Sequence, residues 1–93
     1  MQSLSSALPS ALAQLLRETP LSEGKARFAW KAVVGPALEK VTSVRLEGSR
    51  LLVDAATPQW AREIRHSTHV ILPRLEGLLG KGAVTRIEVR HLP

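Results

Sequence analysis

The sequence predicts an α+β fold in the order α-α-β-β-α-β, with helices packed on one face of a three-stranded mixed sheet. Three observations lead there. Apolar residues recur at helical spacing through the first third of the chain, then change at Thr42 to strict alternation. Two short alternating runs flank a glycine-containing turn, which reads as a hairpin. A long helical pattern then separates the second run from a third. Such a crossover makes the strands it joins parallel, so the sheet is mixed. Strands this short and this poor in apolar residues cannot bury both faces, so the helices cover one.

Each element has a local cause. Ser5 and Ser6 are candidate N-caps, and Leu8, Leu12, Leu15 and Leu16 follow at helical spacing, predicting a helix over about 6–18. Thr19-Pro20 ends it. Ser22 opens a second helix, with Ala26, Trp30, Val33 and Ala37 on one stripe and Lys25, Arg27 and Lys31 pointing elsewhere. Gly35-Pro36 breaks that helix, and PALEK adds one turn. Val44 and Leu46 then alternate with Ser43, Arg45 and Glu47; Leu51, Val53 and Ala55 alternate with Leu52 and Asp54. Thr57 with Pro58 is a helix start. Trp60, Ile64, Ile71, Leu75, Leu78 and Leu79 predict a helix from 58 to about 79, with a kink or a fresh start at Pro73. Gly80-Lys81-Gly82 stops it. In the last run, Thr85, Ile87 and Val89 share one face, and Arg86, Glu88 and Arg90 the other. The open face of the sheet is expected to show Arg45, Arg86 and Arg90 with Glu47, Glu88 and Asp54.

Composition narrows the function. Ninety-three residues make one small domain, here divided into an N-terminal helical arm over 1–21 and a domain over 22–93. No apolar run approaches the ~20 residues of a membrane span, and no secretory signal opens the chain. The absence of cysteine excludes thiolate metal sites and suits a reducing cytoplasm, the expected location. The net charge is +5, and the excess is uneven: residues 25–93 hold twelve basic against six acidic residues. A basic domain of this size suggests a polyanionic partner, usually nucleic acid. There is no Gly-rich phosphate loop, no nucleophile elbow and no acid pair with a reason for a shifted pKa, so neither an enzyme nor a cofactor is expected.

The stretch TPQWAREIRHSTHVILPRL at 57–75 carries the candidate binding residues. Opposite its apolar stripe stand Arg62, Arg65, His66 and His69, spaced to share one helical face. The arginines can meet successive phosphates, and histidines add charge in mild acid. The same stripe also reads simply as the solvated side of a helix. Lys25, Arg27 and Lys31 on the preceding helix complete the set, since two helices can flank one groove. A metal site is not expected, because His66 and His69 have only His91 to join them. Gly77 and Gly80 in GLLG match the spacing of a backbone clamp, but two leucines lie between them, which favours a helix end. Both tryptophans sit on apolar stripes, so both are assigned to the core, with partial exposure at a partner surface as the alternative.

Three motifs carry a family resemblance. WKAVVGPALEKVT at 30–42 joins a tryptophan, Val-Gly-Pro and a turn into a strand. GSRLLVDAATPQWAREI at 48–64 joins a strand to a small-polar pair and a second tryptophan. LEGLLGKGAVTRIEVR at 75–90 closes the pattern. Together they resemble the DciA family, bacterial proteins that load the replicative helicase, over about residues 25–91. The resemblance implies a KH-like domain over 22–93 that engages the DnaB-type helicase, binds DNA, single-stranded or duplex, without sequence preference, and hydrolyses no nucleotide. Many members extend into a long basic segment. This sequence stops at Pro93; if that segment carries much of the DNA or helicase contact, the folded domain is expected to make it instead, or to make less of it. The competing readings are an RNA-binding KH-like module and a pure protein-interaction domain.

Overall fold

The computed structural model describes residues 10–91, apart from the side chains of residues 12, 13, 16 and 17. The elements are α1 (Ser10–Glu18), α2 (Glu23–Val34), α3 (Pro36–Lys40), β1 (Thr42–Glu47), β2 (Arg50–Ala55), α4 (Pro58–Leu79) and β3 (Arg86–His91). The order matches the predicted one, with α3 as the extra turn at PALEK. The expected caps Ser5 and Ser6, Leu8, and the side chains of Leu12 and Leu16 lie outside the described residues. Leu15 is exposed.

Ser22 caps α2: its Oγ accepts the Lys25 amide at 3.1 Å. Ala26, Ala29, Trp30 and Val33 are buried along one stripe. Gly35 ends the helix at φ 89° and ψ 167°, a conformation open essentially to glycine alone. Pro36 then starts α3 where its missing N–H costs nothing. Ala37, expected on the stripe of α2, is exposed. The break at Gly35 gives α3 its own axis, so helical phase does not carry across it. The Trp30 indole N–H donates to Thr42 Oγ1 at 2.9 Å, and that hydroxyl donates to the Leu38 carbonyl at 2.9 Å. One buried side chain thereby ties α2, α3 and β1 together.

The sheet has the order β1-β2-β3. β1 and β2 are antiparallel, from Thr42↔Ala55 to Glu47↔Arg50; β2 and β3 are parallel, from Arg50↔Arg86 to Ala55↔His91. Gly48, at φ 59°, makes the two-residue hairpin loop possible. α2 packs on β1, α4 on β2 and β3, the two helices pack on each other, and α1 packs on α4. Trp30, Leu51, Val53, Ile64, Leu75 and Val84 are the largest fully buried side chains, so the core lies between these helices and the sheet. Among the described residues no helix is long and apolar enough to cross a membrane.

Three expectations need correction. Trp60, assigned to the core, is 37% exposed. α4 has 22 residues and is about 33 Å long. The six-residue strands beneath it span about 20 Å. Part of the helix must overhang, and Trp60 lies in its first turn. Of the kink or fresh start expected at Pro73, the fresh start is absent, because α4 runs through from Pro58 to Leu79. Pro73 and His69 are both exposed. The His69 carbonyl, which loses its usual donor to the proline, therefore lies on the side that water reaches. Thr85 is not part of β3. It is exposed, and its N–H and hydroxyl bond Ser49 O and Oγ at 2.8 and 3.1 Å, fastening the hairpin to the approach of β3.

Candidate nucleic-acid and partner interface

The expected basic residues divide into three groups. On α2, Arg27 and Lys31 are one turn apart and exposed. Arg27 reaches Glu23 at 3.5 Å, while Lys31 has no acidic partner among the described residues. Lys25 departs from the expectation that it points to solvent. It is only 8% exposed, and its ammonium donates to the Thr19 carbonyl at 2.6 Å. Its stem lies on the buried side of the helix while its head bonds the carbonyl just past the end of α1, so the ammonium is held against the fold.

On α4, Arg62, His66 and His69 are all exposed. Spacings of four and three residues place them together on the face turned away from the sheet. Arg65 lies toward the other side: its guanidinium donates to the Val89 carbonyl on β3 at 3.1 Å. The stripe read from the sequence thus keeps three members and lends the fourth to the sheet edge. α2 and α4 pack side by side on one face of the sheet. Arg27 and Lys31 therefore share the helical side of the molecule with Arg62, His66 and His69.

The open sheet face carries four arginines, because Arg50, at the start of β2, joins the expected Arg45, Arg86 and Arg90. Arg50 reaches Glu47 at 2.7 Å and Glu88 at 3.0 Å, and Arg90 reaches Asp54 at 3.0 Å. The Arg50 guanidinium is held above the ordinary arginine range, first by its hydrogen bond to Glu47 and then by the charge of Glu88. Arg45 and Arg86 have no ion-pair partner among the described residues. Three of the four sheet-face arginines could be balanced by the acids present, so this face is close to neutral. Leu52 is buried at its centre, in register between Arg45 and Glu88. Long charged side chains shield such an apolar centre with their stems.

The concavities are shallow. One of about 190 Å³ is lined by Arg27, Trp30, Glu39, Thr42, Ser43 and Val44, and one of about 380 Å³ by Gln59, Trp60 and Glu63. Among the described residues no group of three metal-ligating side chains comes together. Sequence reading missed the exposed apolar side chains of the helical layer: Phe28, Trp60 and Val70. Phe28 had a visible signal, since it falls off the stripe that holds Ala26, Ala29, Trp30 and Val33.

Fold and surface together define a small basic α+β domain with a three-stranded mixed sheet. A family model described as "Dna[CI] antecedent, DciA" matches residues 3–89, and the chain belongs to the DciA family. Membership implies a role in DNA replication as a loader of the DnaB-type helicase. No curated protein matches the chain.

Proposed function

We propose that this chain is a DNA-binding adaptor that engages the DnaB-type replicative helicase in the bacterial cytoplasm and assists its loading. The observation that carries the reading is the family match over residues 3–89. Charge supports the DNA part. The open sheet face sets Glu47, Asp54 and Glu88 among its arginines and so carries little of the net +5, whereas Lys31 and Arg62 on the helical side have no acidic partner among the described residues. Phosphates satisfy such residues without reading base sequence. Phe28, Trp60 and Val70 give the same helical layer an apolar component suited to a protein surface. The element order and the mixed sheet are compatible with a KH-like fold, and we read the domain over 22–93 in that way. Lys31, Arg62, His66 and His69 form the proposed contact surface, with Arg27 at its margin. Lys25, buried against the end of α1, and Arg65, bonded to the Val89 carbonyl, are left out of it.

Two measurements test this reading. The chain should co-elute with the cognate helicase, and it should bind labelled single-stranded or duplex DNA with an affinity that falls steeply between ~50 and ~200 mM salt. Failure to co-elute removes the helicase contact; binding that is insensitive to salt removes the phosphate mechanism. Stronger binding to structured RNA than to either DNA would favour an RNA-binding module instead.

A further inference from the structure

The two edges of the sheet are not alike. On β3, Arg65 covers the Val89 carbonyl at 3.1 Å, and α4 packs along the strand. Covering an edge carbonyl is one way in which proteins blunt strand pairing. α2 and α3 pack on β1, but among the described residues no side chain bonds a backbone group on its outer side, and two observations fix which of those groups are free. Gly48 and Ser49 form a two-residue loop that closes on Glu47↔Arg50. In so tight a hairpin the closing pair is hydrogen bonded. At the other end the Ala56 N–H donates to the Val41 carbonyl at 2.8 Å. Val41, Ser43, Arg45 and Glu47 therefore bond toward β2. The N–H and C=O groups of Thr42, Val44 and Leu46 point outward, and no hydrogen bond reaches them among the described residues. Beside this edge α2 packs on β1, and the cavity of about 190 Å³ lined by Arg27, Trp30, Glu39, Thr42, Ser43 and Val44 runs between them.

We propose that the free edge of β1 is a docking site for an extended peptide segment bearing an acidic side chain, which adds to the sheet as a fourth strand. The proposal goes beyond the DNA and helicase reading and does not depend on it. The ladder of outward groups supplies main-chain hydrogen bonds, as in other strand-addition interfaces. Charge selects the occupant. Arg45 lies at the middle of β1, exposed on the open face; its inner neighbour across the ladder is Leu52, and no acid pairs with it among the described residues. A strand laid on the outer side places a side chain about 5 Å from Arg45 between Cβ atoms, where a carboxylate supplies the missing counter-charge. Alternate side chains of that strand fall on the other face, over the groove beside Trp30 and Val44, which suits aliphatic ones.

Other occupants fit less well. Residues 1–9 of this chain contain no Asp or Glu. A second copy brings another net charge of +5; the register centred on Arg45 sets arginine against arginine, and only one centred on Leu46 would set Arg45 against Glu47. Nucleic acid meets Glu39 in the groove and Glu47 beside Arg45.

The test uses the full chain, ¹⁵N-labelled and titrated to about 1 mM with the blocked peptide Ser-Val-Asp-Val-Ser. The expected result is amide shifts largest at Thr42, Val44 and Leu46, with slowed hydrogen exchange at the same amides. Arg45→Glu, an exposed and unpaired position, should keep the native spectrum and weaken binding about fivefold. The peptide Ser-Val-Lys-Val-Ser should restore binding to that variant. Shifts confined to α4, no shifts at all, or equal affinity of the parent for both peptides would overturn the proposal. So would an oligothymidylate that moves Thr42, Val44 and Leu46 while the peptide does not, which would make the edge a nucleic-acid track. Concentration-dependent shifts at these amides without peptide would overturn it in favour of a second copy.

Discussion

Trp30→Ala should be the most damaging single substitution among the aromatic residues. Trp30 is 2% exposed. Burying a side chain of this kind removes roughly 150–250 Å² from water. At about 25 cal/mol per Å² that is worth roughly 4–6 kcal/mol, of which alanine retains a small share. Truncations of buried aromatics cost about 3–5 kcal/mol, cavity included. The hydrogen bond adds little to the loss, because the Thr42 hydroxyl keeps the Leu38 carbonyl as a partner. A chain of 93 residues has a total stability of roughly 5–14 kcal/mol, so the variant sits near the edge of folding. With a shift of about 4–8 °C per kcal/mol, its melting temperature should fall by at least ~12 °C. Urea denaturation followed by circular dichroism, with calorimetry alongside, measures both quantities. Trp60→Ala is the internal control: 37% exposed on an overhanging turn, it should cost less than about 1 kcal/mol. A Trp30→Ala protein that melts within ~3 °C of the parent, or a Trp60→Ala protein that loses as much, would refute the packing described above.

Three other outcomes follow from the same geometry. Lys25→Ala should lower stability by about 1–2 kcal/mol through loss of the contact with Thr19, yet change DNA affinity less than about twofold; urea melts and fluorescence anisotropy separate the two. Gly35→Ala should cost about 1–3 kcal/mol, since φ 89° with ψ 167° strains any side-chain-bearing residue, and thermal melts read it directly. Lys31→Ala and Arg62→Ala should leave the melting temperature within ~3 °C of the parent while each reduces the slope of log affinity against log salt by about one, in titrations across several salt concentrations.

Period and punctuation made most of the fold legible. The change at Thr42, the caps Ser22 and Thr57, and the stops at Gly35 and Gly80 are local signals, and local chemistry honours them. What sequence reading missed depends on where an element ends against its neighbours. A helical wheel assigns Trp60 the same side as Leu78, but a wheel has no length, and only Leu78 lies over other elements deeply enough to be buried. Lys25 looked like any solvated lysine because its partner, the Thr19 carbonyl, belongs to the end of another helix. Arg65 left its stripe for a carbonyl 24 residues away. The near-neutrality of the sheet face needed the register, which sets Arg50 between Glu47 and Glu88. By contrast, Arg62, His66 and His69 share a face through spacing alone, and that much was readable in advance.

The most direct test of the functional account is loading of the cognate DnaB-type helicase onto single-stranded DNA, comparing the parent with Lys31→Glu/Arg62→Glu on the helical side and Arg86→Glu on the sheet face. All three proteins are first shown to melt alike. The account predicts that the parent stimulates loading, that the helical-side double variant loses both stimulation and DNA binding, and that Arg86→Glu retains both. A parent that fails to stimulate, or a sheet-face variant that fails while the helical-side variant works, would contradict it.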